Sequence, residues 1–149
     1  MTPLLSIFWH VSPPEGEAGE ARLNDLAAAA WPLVWASPGE AESVFPALEE
    51  VEISVVEDAA IAQVHGQFMD DPTPTDVITF HHGEILVSAD TAAREAAARA
   101  QPFLRELALY VIHGLLHLHG HTDAEDPPRA LMHAAQERIL SAVWPAGAD

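Results

Sequence analysis

The chain has 149 residues, 49% hydrophobic and 19% charged, which excludes a disordered protein and suffices for one domain with a real core. It lacks cysteine, so disulfides and thiolate metal sites are excluded, and no apolar run approaches the roughly 18 residues of a membrane span. Six arginines, no lysine and 23 acids leave a formal charge of −17, the opposite of the basic balance that gives affinity for a polyphosphate.

Residues 4–11 read as a first strand: the stretch is apolar but lacks the basic start and small-residue cleavage site of a signal peptide. Cytoplasm is the expected compartment. The turn-rich Ser12-Pro13-Pro14-Glu15-Gly16 follows, then alanines and leucines at helical spacing over residues 18–30. Trp31-Pro32 should break that helix, because the residue before proline disfavours helical backbone. Residues 51–56 alternate apolar and polar, a half-buried strand. Asp58 suits the N-cap of a helix reaching about Phe68, and residues 70–74 form a loop. Val77 to Phe80 and Glu84 to Val87 predict a hairpin through His81-His82-Gly83, with His81 and His82 as hairpin residues. Asp90 can cap a helix to about Ala100, Pro102 can open the next, and Pro127-Pro128 starts a last helix to about Val143. Strands and helices alternate without regular βαβ spacing, so the expected fold class is α+β, with a small mixed four-stranded sheet and about five helices.

The chemistry concentrates in residues 113–123. His113 and His117 are four residues apart, one turn on one helix face, so two imidazoles can reach one ion. Gly120 can take the left-handed conformation that ends a helix, and three residues later Asp123 offers a carboxylate. Two nitrogens and one oxygen leave a fourth position for water, the pattern of a catalytic metal site. His121 and Asp126 are rivals for the third position, but Asp123 has the spacing. His119 should face away from the pair and lie at the surface. The short metallopeptidase motif places a glutamate after the first histidine; here Gly114 stands there, so a peptide hydrolase lacks its base.

The segment resembles H-G-x-L-H-L-x-G-[Y/H]-D-H of the YbeY family, metal-dependent endoribonucleases of small-subunit ribosomal RNA maturation. Residues 132–140 are similar to that family's M-x-x-x-Q-E-x-I-L helix, residues 74–80 to its P-T-D-V-L-S-F segment, and residues 83–88 to its G-D-I-x-I-S strand. The resemblance runs from about Val51 to Leu140 and implies a zincin-like arrangement, with the metal motif on a buried helix and the turn after it. It implies one zinc ion on His113, His117 and Asp123, a single-strand-specific endoribonuclease using a metal-activated water, and ribosomal RNA and the small ribosomal subunit or its proteins as partners, with neither DNA nor membrane. The catalytic side chains stay open; Asp76 and His65 are the candidates for the cleft.

Departures matter. Asp123 stands where the commonest family form has a third histidine, which makes the site less positive by one charge. Thr122 replaces an aspartate, His65 an asparagine, and Met69 an arginine suited to hold a phosphate. His65 either faces the cleft or caps a helix end. Asp76 either shapes the cleft or orders its turn, and Met132 belongs to a helix core. Arg94, Arg99 and Arg105 either form a local positive face or solvate alanine-rich helices; a docked protein or the metal could also supply positive charge. A second reading is therefore a metal-stabilised ribosome-assembly protein that cuts no RNA.

Overall fold

The computed structural model describes residues 2–13 and 15–145. In chain order these form β1 (Leu4–Trp9), α1 (Glu17–Trp35), a short 3-10 turn (Phe45–Ala47), β2 (Glu50–Val56), α2 (Asp58–Met69), β3 (Val77–Phe80), β4 (Glu84–Ser88), α3 (Ala89–Ala98), α4 (Phe103–Leu118) and α5 (Pro128–Val143). The α+β class, the four-stranded mixed sheet and the five helices are as expected. Strand order is β1-β2-β4-β3: β1, β2 and β4 are parallel, and β3 is the antiparallel edge.

Strand alternation divides the core. Val51, Ile53, Val55, Ile85 and Val87 face α4 and join α1 and α5 in the main core. Val56, Ile78 and Leu86 point the other way, onto Ile61 of α2. The central helix is α4, buried along Leu104, Leu107, Val111, Ile112, Leu115, Leu116 and Leu118, as expected of a helix apolar nearly all round. Gly114 lets it lie directly on β4: a Cβ there would stand 2.8 Å from Ile85 Cγ2. Met132 is fully buried in α5, in the core role expected of it.

Two local expectations are corrected. First, α1 runs through Pro32 to Trp35. Burial of Val34 and the packing of Trp31 and Trp35 on Phe45, with ring centroids 5.1 and 4.8 Å away, stabilise the last turn against the hydrogen bond proline cannot make. Second, Ser88 caps α3 by accepting the Thr91 N–H at 3.1 Å, and Asp90 reaches back to accept the Asp58 N–H at 2.8 Å. Asp58 is thus the first residue of α2 rather than its cap, and two helix N-termini are tied together. The turn predicted at residues 12–16 is present, closed by Gly16 N–H on Pro13 O at 3.0 Å, while Pro14 lies outside the described residues. No described helix is long and apolar enough to cross a membrane.

Candidate metal centre

The last two turns of α4 carry His113 and His117, and the helix ends as its sequence predicts. His121 N–H bonds to Leu116 O at 3.0 Å, and Gly120 has φ of +94°. The chain then doubles back and brings Asp123 to the two imidazoles. His113 Nε2 and His117 Nε2 are 3.1 Å apart, and Asp123 Oδ2 stands 3.6 and 3.5 Å from them. Both histidines are half-buried and Asp123 is exposed, so the triangle opens to solvent on one side. Among the described residues this is the one group of three or more such side chains brought within ligand distance.

The donor chemistry fits a cation. His117 Nδ1 lies 3.1 Å from the His121 carbonyl, which only accepts, so that nitrogen carries the hydrogen. His113 Nδ1 lies 2.8 Å from Gln136 Oε1 on α5 and donates to it. Both Nε2 atoms therefore present lone pairs to each other and to a carboxylate oxygen. Burial, and then the charge of His113, hold His117 below its ordinary pKa against the opposing pull of Asp123, so its contact with Asp123 is no ion pair. Three lone-pair donors at this separation repel unless a positive ion lies between them. A tetrahedral ion with ligands at about 2.0–2.1 Å has ligand–ligand edges of about 3.3 Å, close to the spacings found.

His121 is buried with Nε2 2.7 Å from Ser37 O, and Asp126 is paired with Arg129 at 2.9 Å, so neither joins the triangle. The expectation of a surface His119 is overturned: it faces away from the ligands but is only 7% exposed. It stacks on Phe45 at 4.6 Å, with Nδ1 2.7 Å from Ser43 Oγ and Nε2 3.0 Å from Trp35 O. That anchorage depends on residues some eighty positions upstream, which the periodicity of α4 cannot show.

Two grooves meet at His113. The smaller, about 170 Å³, runs along edge strand β3 and is bordered by Met69, Thr79, His81 and His117. The larger, about 630 Å³, carries Asp76, Glu95, Arg99, Glu106, Tyr110 and Glu137. Asp76 borders this groove and also orders its own turn, its Oδ1 accepting the Val77 N–H at 2.8 Å. His65 borders neither groove; its Nδ1 is 2.8 Å from Thr73 O, tying the end of α2 to the following loop. Burial, then the charge of Glu106 and a hydrogen bond with it, push the Tyr110 hydroxyl far above its ordinary pKa, so it stays protonated. A local positive face does not form around Arg94 and Arg99. Arg94 is bound to Asp58 at 2.7 Å, and Arg99 to Glu95 and Glu106 at 3.3 and 3.1 Å. Gln136 lies in the segment of residues 132–140 that resembles the family's last helix, whereas Ser37 lies in no motif; the contact each makes is legible only in space.

The profile of the family described as Endoribonuclease YbeY matches residues 20–143. Curated relatives of that name include proteins of Rhodopirellula baltica, 36% identical over 96 residues (58% of this chain, 50% of that protein), and of Carboxydothermus hydrogenoformans, 31% identical over 102 residues (62% and 71%). The Mycobacterium tuberculosis H37Rv protein of the same name is 34% identical over 110 residues (61% and 62%). The matched part spans from half to 71% of the length of these relatives. The solution structure of a Thermotoga maritima protein superposes with a TM-score of 0.63 at 26% identity, covering 95% of this chain and 89% of that one. On the profile match over residues 20–143 and the common architecture, the chain belongs to the YbeY family.

Proposed function

We propose that this chain, as a single metal-hydrolase domain, is a zinc-dependent, single-strand-specific endoribonuclease of the cytoplasm that acts in 16S ribosomal RNA maturation and quality control. The observation that carries the reading is the convergence of two imidazole lone pairs and a carboxylate at 3.1–3.6 Å, open to solvent between two grooves. The names of the relatives supply the substrate class. His113, His117 and Asp123 would hold the ion; two nitrogens and one oxygen in a near-tetrahedral arrangement suit zinc. Bound there, zinc supplies Lewis acidity to a phosphate ester and to water.

The remaining work falls to the chain. Gln136 and the His121 carbonyl hold both imidazoles in the Nδ1–H tautomer, leaving Nε2 free for the ion. The grooves on either side of His113 would seat the RNA strand, and Asp76, on the wall of the larger, is the carboxylate we assign to substrate placement. A peptidase reading meets a physical obstacle: a glutamate at position 114 would drive its Cβ into the buried Ile85.

The commitment of Arg94 and Arg99 to carboxylates, with Met69 beside the metal triangle, favours a second reading. There the chain binds the small ribosomal subunit without cutting RNA. Metal analysis by mass spectrometry on untagged protein, with His113→Ala and Asp123→Ala, comes first. About one zinc in wild type, lost or weakened in both variants, supports the site; no zinc uptake refutes it. Cleavage of single-stranded ribosomal RNA fragments by the zinc-loaded protein then separates the nuclease from the binding protein.

A further inference from the structure

His121 is bound at both ends of its structure. Its imidazole is 2% exposed, and Nε2 donates to Ser37 O at 2.7 Å, while Nδ1 is buried without a partner. Its backbone carbonyl, in turn, accepts from His117 Nδ1 at 3.1 Å. One residue therefore has its ring anchored in the loop after α1 and its main-chain oxygen on a metal-facing imidazole.

That loop is itself held firmly. Gly39 N–H bonds to His119 O and Ala41 N–H to Gly120 O, both at 3.0 Å, and Val44 N–H bonds to Leu118 O at 2.9 Å. Gly39 and Gly120 meet backbone to backbone, so closely that a Cβ on Gly39 would overlap Gly120. Behind Ser37, its hydroxyl donates to Leu33 O and accepts from Arg138 of α5, both at 2.9 Å. The turn after α4 is thus seated in a fixed cradle, and His121 is the side chain that ties the cradle to the ligand.

We propose that His121 is a positioning residue for the metal centre: its hydrogen bond to Ser37 O sets the direction of the carbonyl that orients His117. The inference rests on the metal reading given above. The competing explanation is that the ring only fills space, and the two differ in what they require. Filling space needs the ring volume; positioning needs the donor at Nε2.

Three substitutions separate these needs. His121→Phe keeps the ring and removes the donor. His121→Gln places an amide nitrogen near the Nε2 position, whereas His121→Asn carries the same amide at the level of Nδ1, too short to reach Ser37 O. Zinc affinity is measured on the full chain by competition with a chromophoric chelator, alongside the melting of the metal-stripped protein and the visible spectrum of the cobalt form. Loss of an orienting partner of a metal ligand typically weakens affinity by about 10–100-fold; with the carbonyl kept but its anchor lost, the lower end, about tenfold, is expected for His121→Phe and His121→Asn, with His121→Gln within about threefold of wild type. The cobalt spectra of the first two should change, and that of His121→Gln should match wild type.

Wild-type affinity in His121→Phe overturns the positioning role while leaving the metal site intact. Should His121→Phe lower the melting of the stripped protein, the pair of amides decides: equal affinities for His121→Gln and His121→Asn also overturn it. A wild-type protein that takes up no zinc removes the site reading and the positioning role with it.

Discussion

At the residue scale, two positions set how the helices seat: Gly114 beneath the histidine pair and Asp58 between α2 and α3. Gly114 lies where α4 crosses β4, and Ile85, fully buried beneath it, has no room to yield. Gly114→Ala should therefore destabilise the protein by about 1–3 kcal/mol despite its better helix propensity, as denaturant titration will show. Asp58 is the other. Burial pushes its pKa up, but hydrogen bonds from Ser88, Arg94 and Thr91, with the charge of Arg94, more than offset this and leave it below the ordinary aspartate value. Its Oδ1 accepts from Ser88 Oγ at 2.6 Å and Thr91 Oγ1 at 2.9 Å. A carboxyl group depressed on folding stabilises the protein fully above its unfolded pKa, and the stabilisation is lost as pH falls through the folded value. Asp58→Asn should cost about 1–2 kcal/mol at neutral pH, and the difference from wild type should shrink as the medium is acidified below the ordinary aspartate range. A difference that stays constant through that range would mean the charge is not what the network uses.

At the element scale, the site depends on how α4 and α5 meet. The His113–Gln136 hydrogen bond at 2.8 Å joins the first histidine to a helix that begins only after the metal turn. Gln136→Leu keeps much of the side-chain volume and removes the acceptor. It should weaken zinc binding by about 10–100-fold with little effect on secondary structure, tested by chelator competition and circular dichroism. The boundaries of α4, α5 and the β3–β4 hairpin were legible from prolines, the glycine after α4 and alternation, since these signals are local. The continuation of α1 through Pro32 was not, because what overrides proline there is the packing of Trp31 and Trp35 on Phe45. The N-caps of α2 and α3 depart from those the sequence predicts for a similar reason: Asp90 serves Asp58 across the fold, and nothing in either helix's own sequence says so.

At the scale of the whole molecule, the formal charge of −17 governs how the protein meets an anionic polymer. Arg94 and Arg99 are held by carboxylates, so neither is free to meet a phosphate. Met69 is 46% exposed and borders the smaller groove with His113 and His117, so a cation at this position would stand beside the groove we assign to the RNA strand. Met69→Arg should raise affinity for single-stranded RNA and steepen the dependence of log affinity on log salt by about 0.7, the release expected from one added phosphate contact. Anisotropy titrations over a range of salt will read both; an unchanged slope would show that the groove does not carry the backbone.

The sequence alone determined the fold class, most element boundaries and the three residues that converge, because a four-residue spacing on a helix and a glycine at its end are properties of the local backbone. Only the tertiary structure decided which imidazole nitrogens face each other and Asp123, that His119 is buried, and that a loop from the first third of the chain cradles the turn after α4. The last two rest on hydrogen bonds between segments some eighty residues apart and the first on the meeting of α4 with α5 and with the turn after it, and no local propensity reports on a partner brought near only by the folded core.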